Sequence, residues 1–257
     1  MLNIVIILGT VRAINSGITY EDHGDHIDIS KAEAKFTTWS AQGAKPAHVE
    51  SHYGWVVVHF DGDLAANKSS QVIAVIEDEL DEETATTLAF PPQTPNHGTH
   101  VLYRDCIVSN IILGVAIAAS NCHFVISEPD PNYAAGNKSS SLPDGFFIWN
   151  SQLVELTDLD EQGLVNKSCG GYHGTAASGN YHMFGCNFAT SDDSSDVGVL
   201  LIEWHESTST FSSRKILYPD NQRRTSTLVA HHDSPYFVGQ YGRNPSPGKI
   251  IFVKLPG

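Results

Sequence analysis

A histidine-glycine step recurs along this chain of 257 residues. It stands in Glu21-Asp22-His23-Gly24-Asp25-His26, in Asn96-His97-Gly98-Thr99-His100 and in Gly171-Tyr172-His173-Gly174-Thr175. Each copy precedes a stretch that alternates like a β-strand. Related histidines open strands at Pro46-Ala47-His48 and Ala230-His231-His232-Asp233. Residues at the same point of successive repeats meet in space, and imidazoles that meet hold a transition metal. Three or four of them about 2.0–2.1 Å from one centre make a zinc site, with a carboxylate or water completing the tetrahedron. His23, His97 and His173 are the primary ligands this spacing predicts, with His26 and His48 next. His52, His231 and His232 are weaker candidates. Glu21, Asp22 and Asp25 stand ready to orient ring nitrogens. Parity limits the set: on a straight strand, residues three apart point to opposite faces, so His23/His26 and His97/His100 each share an ion only if the loop curls. Affinity is expected to fall below about pH 6, where imidazoles protonate and stop ligating.

Catalytic signatures are absent. There is no Gly-x-Ser-x-Gly elbow and no His-Glu-x-x-His helix. No carboxylate pair lies in a hydrophobic setting that would tune a general acid. The formal net charge of −14 argues against nucleic acid as a partner and gives a general attraction for cations.

The elements that must position these histidines are strands. Short β-branched and aromatic runs, such as Trp55–Phe60, Val72–Ile76, His123–Ser127 and Val199–Trp204, alternate with Gly, Asn, Asp, Ser and Pro clusters. The best helical candidate is Asp78–Ala89, for which an acidic loop is an equal reading. From His48 to His97 is 49 residues, from His97 to His173 is 76, and from His173 to His231 is 58. The long interval holds a polar insertion around residues 128–143. A repeat of roughly 40–50 residues with several strands each marks a β-propeller blade. The predicted fold is all-β, a single β-propeller domain over residues 1–257, with a ring that is complete or incomplete; a β-sandwich is the alternative. The first strand of each blade would line a central channel, with a His-Gly loop at its mouth. Asn3–Leu8 and Lys249–Leu255 could share a blade and close the ring. Trp39, Trp55, Trp149 and Trp204 are expected to pack between blades.

Four widely spaced cysteines, Cys106, Cys122, Cys169 and Cys186, exclude a zinc ribbon. They fit two disulfides in an oxidising compartment, Cys169–Cys186 and Cys106–Cys122, with four buried thiols as the alternative. The apolar Met1–Leu8 has no basic flank, is too short to span a bilayer, and reads as a strand.

The stretch from Asn15 through Glu21-Asp22-His23-Gly24-Asp25-His26 to Ile29, followed by Lys45-Pro46-Ala47-His48-Val49-Glu50, resembles the β-propeller zinc metallochaperones of the AztD type. Asn96–His100 and Cys169–Asn180, with Phe184-Gly185-Cys186 beyond, resemble later blades of that family. The resemblance runs in order from about residue 15 to the C-terminus. It implies a central-channel zinc site built from His-Gly loops, with His23, His26, His97 and His173 carried over. It also implies a Cys169–Cys186 disulfide and a periplasmic or secreted location. The implied partner is the periplasmic zinc solute-binding protein of an ABC importer, met by direct contact. Family members carry a signal peptide, further blades and a His-rich segment upstream of the matching loop. The resemblance therefore carries the expectation of a shortened form or an incomplete gene model.

Three functions follow as expectations. The first is a monomeric, non-catalytic zinc metallochaperone with no membrane insertion. The second is a metal-dependent propeller hydrolase of lactonase-like type. The third is an interaction scaffold in which the histidines are incidental.

Overall fold

Runs such as Trp55-Val-Val-Val-His-Phe60 are buried at every position, as a strand covered on both faces must be. They define a stack of sheets. The computed structural model describes residues 2–7, 10–52, 54–82, 84–93, 95, 100–102, 123–128, 145–156, 170–188, 198–218, 225–231, 234–242 and 248–255. Among these, five antiparallel sheets follow one another along the chain. The first is β1 (Leu2–Ile7), β2 (Thr10–Asn15) and β5 (Lys35–Gln42). Between its second and last strands the chain makes a separate hairpin, β3 (Ile18–Asp22) with β4 (Ile27–Lys31). The second sheet is β6 (Pro46–His52), β7 (Trp55–Phe60), β8 (Gln71–Ile76) and β9 (Thr87–Ala89). The third is β10 (His100–Leu102), β11 (His123–Glu128) and β12 (Gly145–Asn150). The fourth is β13 (Gly170–Ser178), β14 (Tyr181–Phe188), β15 (Gly198–His205) and β16 (Thr210–Leu217). The fifth is β17 (Thr225–Ala230), β18 (Tyr236–Tyr241) and β19 (Lys249–Lys254).

In the three middle sheets alternation sends side chains into two different cores. Val56, Val58 and Phe60 of β7, with Ile73 and Val75 of β8, pack against Val11, Ala13, Trp39 and Ala41 of the first sheet. Trp55, Val57, Val72, Ala74 and Ile76 turn the other way, onto Phe124, Ile126 and Trp149 of the third. In the fourth sheet, Leu200, Ile202 and Trp204 face the third sheet, while Val199 and Leu201 face the fifth. Four successive sheet-to-sheet cores are the signature of propeller blades and replace the single core of a sandwich. The tryptophans sit in these cores as expected.

Two expectations are corrected. β1 pairs within the first sheet and β19 within the fifth, so the two ends of the chain do not share a blade. Asp78–Ala89 is neither helix nor simple loop: a 3-10 turn at Glu77–Glu79 leads to the edge strand β9. Acidic residues fill the 3-10 turn, while Leu80 just after it is buried in the core between the first two sheets. The polar insertion lies outside the described residues. No helix among the described residues is long and apolar enough to cross a membrane.

The first strands lie side by side at the inner edge of the array: β10 touches β6 and β13, and β13 touches β17. Glu50 on β6 accepts a hydrogen bond from the Thr175 hydroxyl on β13 at 2.8 Å, tying the second blade to the fourth.

Candidate metal centre

The sequence Asp22-His23-Gly24-Asp25-His26-Ile27 makes a hairpin with a two-residue turn. Gly24 is at φ +86°, a conformation that costs an L side chain energy but not glycine. The His23 amide donates to the His26 carbonyl at 3.0 Å, and the Gly24 amide donates to Asp22 Oδ1 at 2.7 Å. Residues that flank such a turn stand opposite each other and share a face. His23 and His26 accordingly stack, with ring centroids 5.0 Å apart and planes 23° apart. The parity expected of a straight strand is thus overruled by the turn. Further back, Glu21 stands opposite Asp28, so both carboxylates lie on the imidazole face.

Asp28 faces both rings. Its Oδ2 is 3.4 Å from His23 Nε2, and its Oδ1 is 3.9 Å from His26 Nε2. Asp25 Oδ1 lies 2.7 Å from His26 Nδ1. A carboxylate only accepts, so that contact places the ring hydrogen on Nδ1 and leaves the Nε2 lone pair toward Asp28. One ligand atom from each of His23, His26 and Asp28 lies within 4.8 Å of the others. Ligands about 2.0–2.1 Å from a tetrahedral ion are roughly 3.4 Å apart, so the three need only close slightly around it. Two imidazoles and a carboxylate suit a first-row transition ion, whereas calcium and magnesium take oxygen ligands. The side chains are 39% (His23), 58% (His26) and 66% (Asp28) exposed, so an ion held between them would be reachable by water.

The remaining sequence-predicted residues are elsewhere. His48 is half-buried within β6, opposite the buried His59 of β7. His173 is half-buried within β13, where the register slips by one residue between Tyr172 and Thr175 and Gly174 takes φ +76°. His48 thus lies near the start of a strand, as expected, whereas His173 lies inside β13 where the sequence placed it in a loop before a strand. His97 lies outside the described residues. Among the described residues, His23, His26 and Asp28 form the one group at metal-ligand spacing. Cys186 is buried and disulfide-bonded. Cys106, Cys122 and Cys169 lie outside the described residues.

Two residues escape the sequence reading. Asp28 could have been found from the His26-Ile27-Asp28 alternation, which puts it on the face of His26. Glu50 has no local signal. Burial against β13 pushes its carboxyl up to about 8, only partly offset by the Thr175 hydrogen bond. It shares a face of β6 with His48, two residues before it.

No family model matches the chain. Among curated proteins it is similar to the zinc chaperone AztD of Citrobacter koseri, with 27% identity over 245 residues, 95% of this chain and 47% of that protein. Two solved structures of Citrobacter koseri AztD, one of them apo, cover 96% of this chain and 57% of theirs at 25% identity. Their TM-scores are 0.59 and 0.60. The chain spans about half the length of the curated relative it matches.

Proposed function

We propose that this chain is a non-catalytic zinc carrier, a metallochaperone that takes up zinc on the β3–β4 hairpin and passes it to another protein. The observation that carries this reading is the convergence of His23 Nε2, His26 Nε2 and the Asp28 carboxylate on one face of an exposed turn. The similarity to a zinc chaperone supports zinc as the ion and delivery as the purpose. An exposed site with an open fourth position lets a receiving protein add its own ligand. The partner we propose is the periplasmic solute-binding component of a zinc importer, which places the chain in the periplasm.

The hydrolase reading is weaker on geometry. Turnover needs a concave site that positions substrate beside the metal-bound water. Cavities of about 570 and 480 Å³ are lined by residues such as Gln42, Lys68 and Gln71, and Trp39, Ile73 and Thr87. Neither cavity borders the hairpin tip. The histidines His48, His97 and His173, predicted from their spacing in the sequence, are the second set we propose for zinc.

Isothermal titration with zinc tests the assignment. The double variant His23→Ala/His26→Ala is expected to lose one zinc equivalent or to weaken it more than 10-fold. His48→Ala/His173→Ala is expected to keep that equivalent. Unchanged stoichiometry and affinity in the hairpin variant would refute the assignment. Mixing zinc-loaded protein with the solute-binding protein then tests delivery: zinc should move faster than it dissociates into a free chelator.

A further inference from the structure

We infer that the bound cation staples the β3–β4 hairpin, so that the hairpin is ordered when loaded and frays when empty. The inference rests on the zinc-binding reading of the same site and adds a conformational consequence to it. Among the described residues, β3 and β4 are hydrogen-bonded to each other and to no other sheet. Every residue of β4 is exposed, and every residue of β3 after Ile18. A lone two-stranded hairpin is marginal in water. This one is also charged against itself: Glu21 and Asp28 stand directly opposite each other, Asp22 closes the first limb and Asp25 lies in the turn. Like charges in opposite positions destabilise a strand pair.

The ligands are divided between the two limbs. His23 comes from the first, and His26 and Asp28 come from the second. An ion that binds all three must hold the limbs together, and it neutralises the opposed carboxylates as it does so. Its binding free energy is therefore also hairpin-forming free energy. The reverse face carries Tyr20, Ile27 and Ile29, all exposed, and becomes a fixed apolar array only when the limbs are paired.

Amide hydrogen exchange on the full chain, read by NMR with and without zinc, tests this. The His23–His26 hydrogen bond sets the alternation, so Glu21 and Asp28 form the next hydrogen-bonded pair. With free zinc at 100 times its dissociation constant, exchange of those two amides is expected to slow about 100-fold. Magnesium at the same concentration should leave it unchanged. In His23→Ala/His26→Ala, zinc should have no effect on these amides, while exchange in β7 stays as in the parent chain. Zinc binding by calorimetry without slowing at Glu21 and Asp28 overturns the staple and leaves the site standing. Absence of binding overturns both. Equal slowing in the double variant also overturns the staple.

Discussion

Asp28 offers an oxygen to each imidazole of the hairpin, and its charge is what the two neutral rings lack. Asp28→Asn keeps the shape and removes the charge. It is expected to weaken zinc at least 10-fold in competition with a chromophoric chelator, while Asp25→Asn, which only orients His26, costs less. An equal loss in both would mean that Asp25 is itself a ligand. Glu50 makes a different prediction. Its carboxyl is held near 8 in the folded chain, well above the ordinary glutamate value of 4.5. The folded state therefore keeps a proton that the unfolded chain has released. Stability from this group is full below about pH 4.5 and is lost as pH rises toward 8. That rise corresponds to at most about 5 kcal/mol, and water reaching the half-buried side chain makes it less. Urea titrations at pH 6 and pH 9 should show the parent losing stability with pH, and Glu50→Gln losing much less. The histidines were legible because residue type alone suggests ligation. Asp28 and Glu50 were not, because a carboxylate in an acidic chain acquires meaning only from what stands opposite it across strands.

Two glycines separate the work of the hairpin from that of the blades. A Cβ on Gly24 meets nothing within 4 Å, but the residue sits at φ +86°. Gly24→Ala is expected to strain the turn by about 1 kcal/mol, weaken zinc, and leave the propeller's melting temperature unchanged. A Cβ on Gly185 collides with the Thr225 carbonyl oxygen and comes within 2.6 Å of the His173 carbonyl oxygen, both backbone. Gly185→Ala must push β14 from β17, and is expected to lower the unfolding free energy by about 1–3 kcal/mol by urea titration. The same contrast governs what the sequence reveals of strands. Middle strands such as β7, β8 and β15 are continuous apolar runs, because sheets cover both their faces. Inner strands are harder to read. β6 carries His48, Glu50 and Ser51, and β13 carries Gly170, Gly171 and Gly174, so polarity and glycine disguise them as loops.

At the scale of the molecule, stability is a sum of sheet-to-sheet contacts along a row. Removing a ring from the middle of the row costs most: Phe184→Ala, which takes away a side chain stacked on Tyr172 at 4.6 Å, is expected to cost about 3–5 kcal/mol. Phe252 on the outer face of the fifth sheet is 70% exposed, so Phe252→Ser should change stability by less than about 0.5 kcal/mol. Thermal and urea melts of both variants check the pair; a large loss in Phe252→Ser would show that this face is covered in solution. The blade period was legible because each blade repeats the same two-faced burial. The pairing of the terminal strands was not, because either end could satisfy the pattern. One consequence concerns rates. An ion held by His23, His26 and Asp28 as proposed would keep a side open to solvent, because all three side chains are exposed and the hairpin pairs with none of the five sheets among the described residues. An incoming donor can therefore bind before any resident ligand departs. Exchange would then follow the concentration of the acceptor, free of any unfolding rate, and a carrier could grip its ion tightly yet surrender it quickly on encounter.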